Sequence, residues 1–137
     1  DFKGSSLSNA NKTLQLLRVT VTDTETKFDF GYQSGIDFDY GEWIKINPKT
    51  FIRPHIENSN QKSIKTFLLT NATNIPYGPE KYHFHSRIEW RYFSLHFPAL
   101  PDGIELVDLI EEENGNSNDF NFYGININDR SKKSLVY

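Results

Sequence analysis

Three groups of residues in the 137-residue chain are of types that do chemistry. His83 and His85 flank Phe84 as an H-x-H pair. On a strand, residues two apart share a face, so two imidazoles can be offered to one metal ion if a third ligand arrives from elsewhere, with His96 and His55 as candidates. The competing reading is a solvated strand face, on which Lys81, Arg87 and Arg91 stand beside the histidines and repel a divalent cation. Asp108, Glu111, Glu112 and Glu113, with Asp119 beyond the next loop, form the second group and could hold calcium or supply an acid and a base. They lack EF-hand spacing, and Glu111 to Glu113 fit better as a charged strand end that keeps an edge soluble and blocks edge-to-edge association. Asp108 interrupts an apolar run and fits a carboxylate hydrogen-bonded inside a sheet.

The third group is aromatic: Trp43, Trp90, Tyr32, Tyr40, Tyr77, Tyr82, Tyr92 and Tyr123. A flat row of Trp and Tyr on one sheet face binds sugar rings, whose apolar C–H faces stack on the π systems while nearby Asn, Asp and Arg take the hydroxyls. Most such rings are expected in the core. Tyr40, Tyr77 and Trp90 fall in or near loops and the charged segment, so these three are the candidate ligand-binding residues. There is no Gly-rich phosphate loop, G-x-S-x-G elbow or H-E-x-x-H, so nucleotide binding, serine hydrolysis and zincin chemistry lack a motif. No cofactor is implied and no catalytic residue is assigned.

The elements that must position these groups read as strands. The apolar share is only 36% while aromatics reach 15%, so a core of large rings and β-branched residues is expected. Leu14 to Thr22 places Leu17, Val19 and Val21 on one face, and Thr26, Phe28, Phe30 and Tyr32 alternate after an Asp23-Thr24-Glu25 turn, which predicts a hairpin. Gln33 to Glu42 reads as a loop, Trp43 to Ile46, Thr50 to Arg53 and Ser63 to Thr70 as short strands, and Asn71 to Pro79 as loop. Lys81 to Arg91 alternates as one amphipathic strand, with Tyr82, Phe84, Ser86, Ile88 and Trp90 on its apolar side. Phe93, Leu95 and Phe97 shift that phase by one, which requires a bulge or turn between the runs. Pro98 and Pro101 stop the ladder, Asp102-Gly103 turns the chain, and Ile104 to Ile110 forms the next core strand. Asn114 to Asp119 signals a hairpin loop, Phe120 to Asn128 the closing strand, and Asp129 to Tyr137 a frayed tail. Seven to nine short strands without an amphipathic helix predict an all-β fold, an antiparallel β-sandwich of two sheets.

Length predicts one domain, with a flexible leader over 1–13, the folded body over 14–129 and a tail over 130–137. Fifteen basic against eighteen acidic residues give a net charge of −3, so neither nucleic acid nor an anionic membrane surface is an expected partner. Cysteine is absent, which removes disulfides, a thiolate nucleophile and Cys-ligated zinc, and leaves the compartment open. Methionine is absent even at position 1, so the chain reads as mature or trimmed. No apolar run approaches the roughly 20 residues that span a bilayer, so no membrane insertion is expected.

The succession TVTDTET (Thr20 to Thr26), GEWIKINPKTFI (Gly41 to Ile52), FSLHFPALP (Phe93 to Pro101), ELVDLIEEE (Glu105 to Glu113) and FYGIN (Phe122 to Asn126) resembles the immunoglobulin-like β-sandwich accessory domains of secreted or periplasmic bacterial proteins. Such domains often precede a hydrolase or thioredoxin-like module. The resemblance runs from Leu16 to Ile127 and rests on structural motifs. It implies an extracytoplasmic location, periplasmic, cell-surface or secreted, and a noncatalytic role in protein interaction or scaffolding, with a protein partner or adjacent domain. It carries over no binding residues, and the His-rich segment Lys81 to Arg91 departs from it. A carbohydrate-binding module using exposed Trp and Tyr is the alternative, and a metal-dependent enzyme using His83 and His85 the third.

Overall fold

The computed structural model describes residues 14–34, 42–56, 64–113, 120–127 and 134–136. Every element among them is a strand: β1 (Leu14–Val21), β2 (Glu25–Gln33), β3 (Trp43–Ile44), β4 (Phe51–Pro54), β5 (Phe67–Leu68), β6 (Asn71–Thr73), β7 (Tyr82–His83), β8 (Trp90–Pro98), β9 (Leu106–Ile110), β10 (Asn121–Asn126) and β11 (Ser134–Val136). They form a five-stranded sheet in the order β11-β1-β2-β8-β6, a four-stranded sheet β10-β9-β4-β5 and a pair β3-β7. All pairings within these sheets are antiparallel. No helix among the described residues is long and apolar enough to cross a membrane.

The alternation expected of β2 and β8 decides the core. Thr26, Phe28, Phe30 and Tyr32 are buried on one face of β2, and Phe93, Leu95 and Phe97 on the same side of β8. Val107 and Leu109 of β9, Ile52 of β4 and Ile125 of β10 belong to the same cluster, so the two larger sheets share one apolar interior. Rings join them: Phe30 lies 4.7 Å from Phe120 and 5.5 Å from Phe122, centroid to centroid. The β1–β2 hairpin closes where Thr22 Oγ1 accepts the Glu25 amide, and Gly103 turns the proline corner at φ 94°, a backbone conformation that side chains disfavour.

Several expectations are corrected. Leu17 does not share a face with Val19 and Val21, because the β1–β2 register shifts between Leu16 and Arg18 and turns Leu17 toward Gly31. Asn71–Thr73 is not loop but an edge strand, paired to β8 and reinforced by the Thr70 amide donating to the His96 carbonyl. Residues 134–136 pair with β1 where a tail was expected. The leader, residues 35–41 of the expected Gln33 to Glu42 loop and residues 114–119 lie outside the described residues.

The largest correction is at Lys81 to Arg91, which is not one strand. β7 ends at His83, a turn occupies 85–88, and β8 runs without a register break from Trp90. Beside the Glu89 amide donating to the Ser86 carbonyl, side chains hold the turn: the Glu89 carboxylate accepts the His85 amide at 2.7 Å and the Tyr82 hydroxyl, and Ser34 Oγ donates to the Ser86 carbonyl. The phase change therefore falls in this turn, and Ile88 is 79% exposed rather than packed. Burial alone would raise the Glu89 pKa, but the His85 amide, the Tyr82 hydroxyl and the charges of His85 and Arg91 prevail and hold it below the ordinary value. Because the folded value is the lower, the stabilisation is complete above the unfolded pKa and is lost as pH falls through the folded one. The turn should stay closed at neutral pH and loosen below about pH 4, read as hydrogen exchange of the His85 amide relative to its unfolded rate. Glu89→Gln should abolish that pH dependence, and a flat profile in the wild type would refute this role for Glu89.

Candidate functional site

The outward face of the five-stranded sheet is set by the register of β2 and β8. With Phe93, Leu95 and Phe97 committed to the core, period two turns Trp90, Tyr92, Ser94 and His96 outward. Their cross-strand partners on β2 are Gln33, Gly31, Asp29 and Lys27. Tyr92 is 56% exposed, and its ring lies nearly parallel to that of Trp90, at 11° and 6.1 Å between centroids. Gly31 makes this possible. A Cβ there would stand 3.2 Å from Tyr92 Cε1 and 3.3 Å from Leu17 Cδ1, so only glycine lets the ring lie across the neighbouring strand without displacement. Asn74, at φ 66°, ties down the same stretch: its Nδ2 donates to the Tyr92 carbonyl and its own carbonyl accepts Arg91 Nε at 2.8 Å.

Polar groups follow along the same face. Ser94 Oγ donates to Asp29 Oδ1 at 2.5 Å, with Lys27 Nζ 4.0 Å from that oxygen. His96 joins Glu25 at 3.0 Å to Thr73 at 2.9 Å, spanning three strands. The surface therefore offers two parallel rings flanked by carboxylate, hydroxyl and amide groups. Sugar recognition needs that combination, because a pyranose has an apolar face and a polar rim.

The other sequence candidates are placed differently. Trp90 sits on this face; Tyr77 is 39% exposed and bridges Ile46 instead, and Tyr40 lies outside the described residues. Tyr92 lies outside the three candidates Tyr40, Tyr77 and Trp90, although its i+2 spacing from Trp90 places it on the same strand face. Trp43 carries Lys81 Nζ 4.3 Å and Lys45 Nζ 5.5 Å from its ring centroid, so ammonium groups stand over it. His83 and His85 are exposed, His83 opposite Trp43 in the β3–β7 pair, while Asp108 lies in the four-stranded sheet. The structure does not bring these three together, and no group of three His, Asp or Glu among the described residues could hold a metal.

Asp108 is hydrogen-bonded inside the sheet, as its interruption of the apolar run suggested. It is 1% exposed and accepts Arg53 Nε at 3.1 Å, the Gly124 amide at 3.0 Å and a 2.7 Å bond with His55 Nδ1. Burial alone would lower the Arg53 pKa; the bond to Asp108 and the charge of Glu113 outweigh it and hold the guanidinium above its ordinary value. Glu111 is corrected from an exposed strand end to a buried staple, its oxygens accepting the amides of Asn47 and Phe120. Glu113 alone of the three is exposed, reaching Arg53 at 3.3 Å. Compared with protein-family models, curated proteins and solved structures, the chain matches none.

Proposed function

We propose that this chain is a noncatalytic, immunoglobulin-like β-sandwich domain acting outside the cytoplasm, and that the outward face of its five-stranded sheet binds carbohydrate. The observation that carries the reading is the parallel Trp90–Tyr92 pair, with the Tyr92 ring seated over Gly31. A ring left this exposed forgoes the burial that stabilises core aromatics, and a glycine cleared beneath it holds its face in a defined plane. The sandwich and the location rest on two sheets sharing one core and on the likeness of the turn, Trp strand, proline corner and acidic strand to accessory domains.

Retention on a panel of immobilised glycans tests the reading. The wild type should bind at least one, and Trp90→Ala and Tyr92→Ala should each weaken binding by about tenfold or more, the size of one lost stacking contact. Their unfolding midpoints should stay near wild type. Absence of binding to every glycan, or unchanged retention by both variants, would reject it.

Protein docking is a second reading, favoured by one observation. β10 is the outer strand of the four-stranded sheet among the described residues, and its Tyr123 is 60% exposed. Joining the chain to a neighbouring domain should then protect Tyr123 from nitration, and equal nitration in both forms would remove this reading.

A further inference from the structure

We infer that Asp29, braced by Ser94, reads ring hydroxyls of the sugar stacked on Trp90 and Tyr92, and that the ligand is a neutral rather than an acidic glycan. This rests on the carbohydrate reading of that face and names its ligand class. The register places the Asp29–Ser94 pair one row along from the Gly31–Tyr92 pair, on the same side of the sheet. A pyranose over Tyr92 therefore directs its polar rim at Asp29. The side chain is 22% exposed, and Ser94 Oγ fixes Oδ1, whereas Oδ2 takes no hydrogen bond from the described residues. A carboxylate held in one orientation with an oxygen to spare is an acceptor for hydroxyl donors, and hydrogen bonds to a charged group are the stronger kind.

The balance of charge on this face argues against uronates and sulfated sugars. Asp29 and Glu25 stand on this face against Lys27, which lies at Asp29, Arg18, which is the cross-strand partner of Asp29 on β1, and His96, which is held by Glu25, so cations and carboxylates are matched there. An anionic sugar would meet the Asp29 carboxylate on a face with no excess of positive charge to hold it. Ser94 and Thr73 add hydroxyl groups that exchange donor and acceptor roles with a neutral ligand.

Titration calorimetry of the whole chain against neutral gluco-, manno- and xylo-oligosaccharides, a polyuronate and a single-stranded oligonucleotide tests the inference. At least one neutral oligosaccharide should bind, and Asp29→Asn, which keeps the shape and the Ser94 contact, should weaken it by about tenfold or more. Deoxy forms of that sugar give the specific readout. One that lacks the hydroxyl facing Asp29 should bind the wild type and Asp29→Asn equally, an equality that a merely structural role for Asp29 would not produce. Full affinity in Asp29→Asn with affinity lost in Trp90→Ala would overturn the inference while leaving the carbohydrate reading standing. Tightest binding to the polyuronate would do the same. Tightest binding to the oligonucleotide, or no binding to any glycan, would overturn both.

Discussion

Replacing Asp108 with alanine should lower the free energy of unfolding by about 3–5 kcal/mol, the cost of breaking a buried ion pair by removing one partner. Three donors depend on this carboxylate: Arg53 Nε, His55 Nδ1 and the Gly124 amide. The Arg53 side chain is only 8% exposed, and its other carboxylate, Glu113, is 54% exposed and correspondingly screened. Alanine would thus leave a guanidinium buried with one weak partner, and would leave the backbone at Gly124, where φ is 66°, without its acceptor. Urea unfolding measures the loss. Asp108→Asn should cost less, about 2 kcal/mol, because one oxygen remains while the amide nitrogen faces a donor. The double variant Asp108→Leu with Arg53→Met should be milder than the sum of the single losses, since it removes the stranded charge as well. An Asp108→Ala protein within about 1 kcal/mol of wild type would mean that water, not Asp108, satisfies these donors.

Phe30→Ala should cost a comparable amount, about 3–5 kcal/mol, through a cavity at the meeting of the two larger sheets. Phe30 is fully buried on β2 and touches three rings, stacking on Phe93 at 5.3 Å and meeting Phe120 and Phe122 from the facing sheet. Its removal takes contacts from both sides of the core at once, and the surrounding strands, each tied into its ladder, cannot close the gap. Phe30→Leu should lose about 1 kcal/mol. Leu68→Ala, at a position 58% exposed, serves as the control and should stay within about 0.5 kcal/mol of wild type. Equal losses at positions 30 and 68 would contradict this account of the core.

These two positions show unequal legibility. Phe30 was readable at once: it sits in a run whose apolar residues recur every second position, and that period is complete within one strand. Asp108 was half readable. A carboxylate between Val107 and Leu109 had to find donors, but their identities depend on β4 lying beside β9 and on the β9–β10 bulge that presents the Gly124 amide. The apolar side of Lys81 to Arg91 was misread because alternation continues on paper through a turn whose hydrogen bonds are made by Glu89 and Ser34. β6 carries no apolar period at all, being a polar edge strand held by its neighbour.

By itself the amino-acid sequence determined the class of the fold, the β1–β2 hairpin, the strand β8 with its proline corner, and the faces of β2 and β8 that become core. Each is written in spacing and turn chemistry over fewer than about ten residues, where local sterics and burial act. Tertiary structure decided what those strands lie against. Nothing near Trp90 in the chain says that Gly31 will sit opposite Tyr92, or that Asp29 will sit opposite Ser94; both pairings come from the register of two strands some sixty residues apart. Register is set jointly by every residue that must reach the shared core, so a binding face assembled across strands is a consequence of packing, not of any one segment.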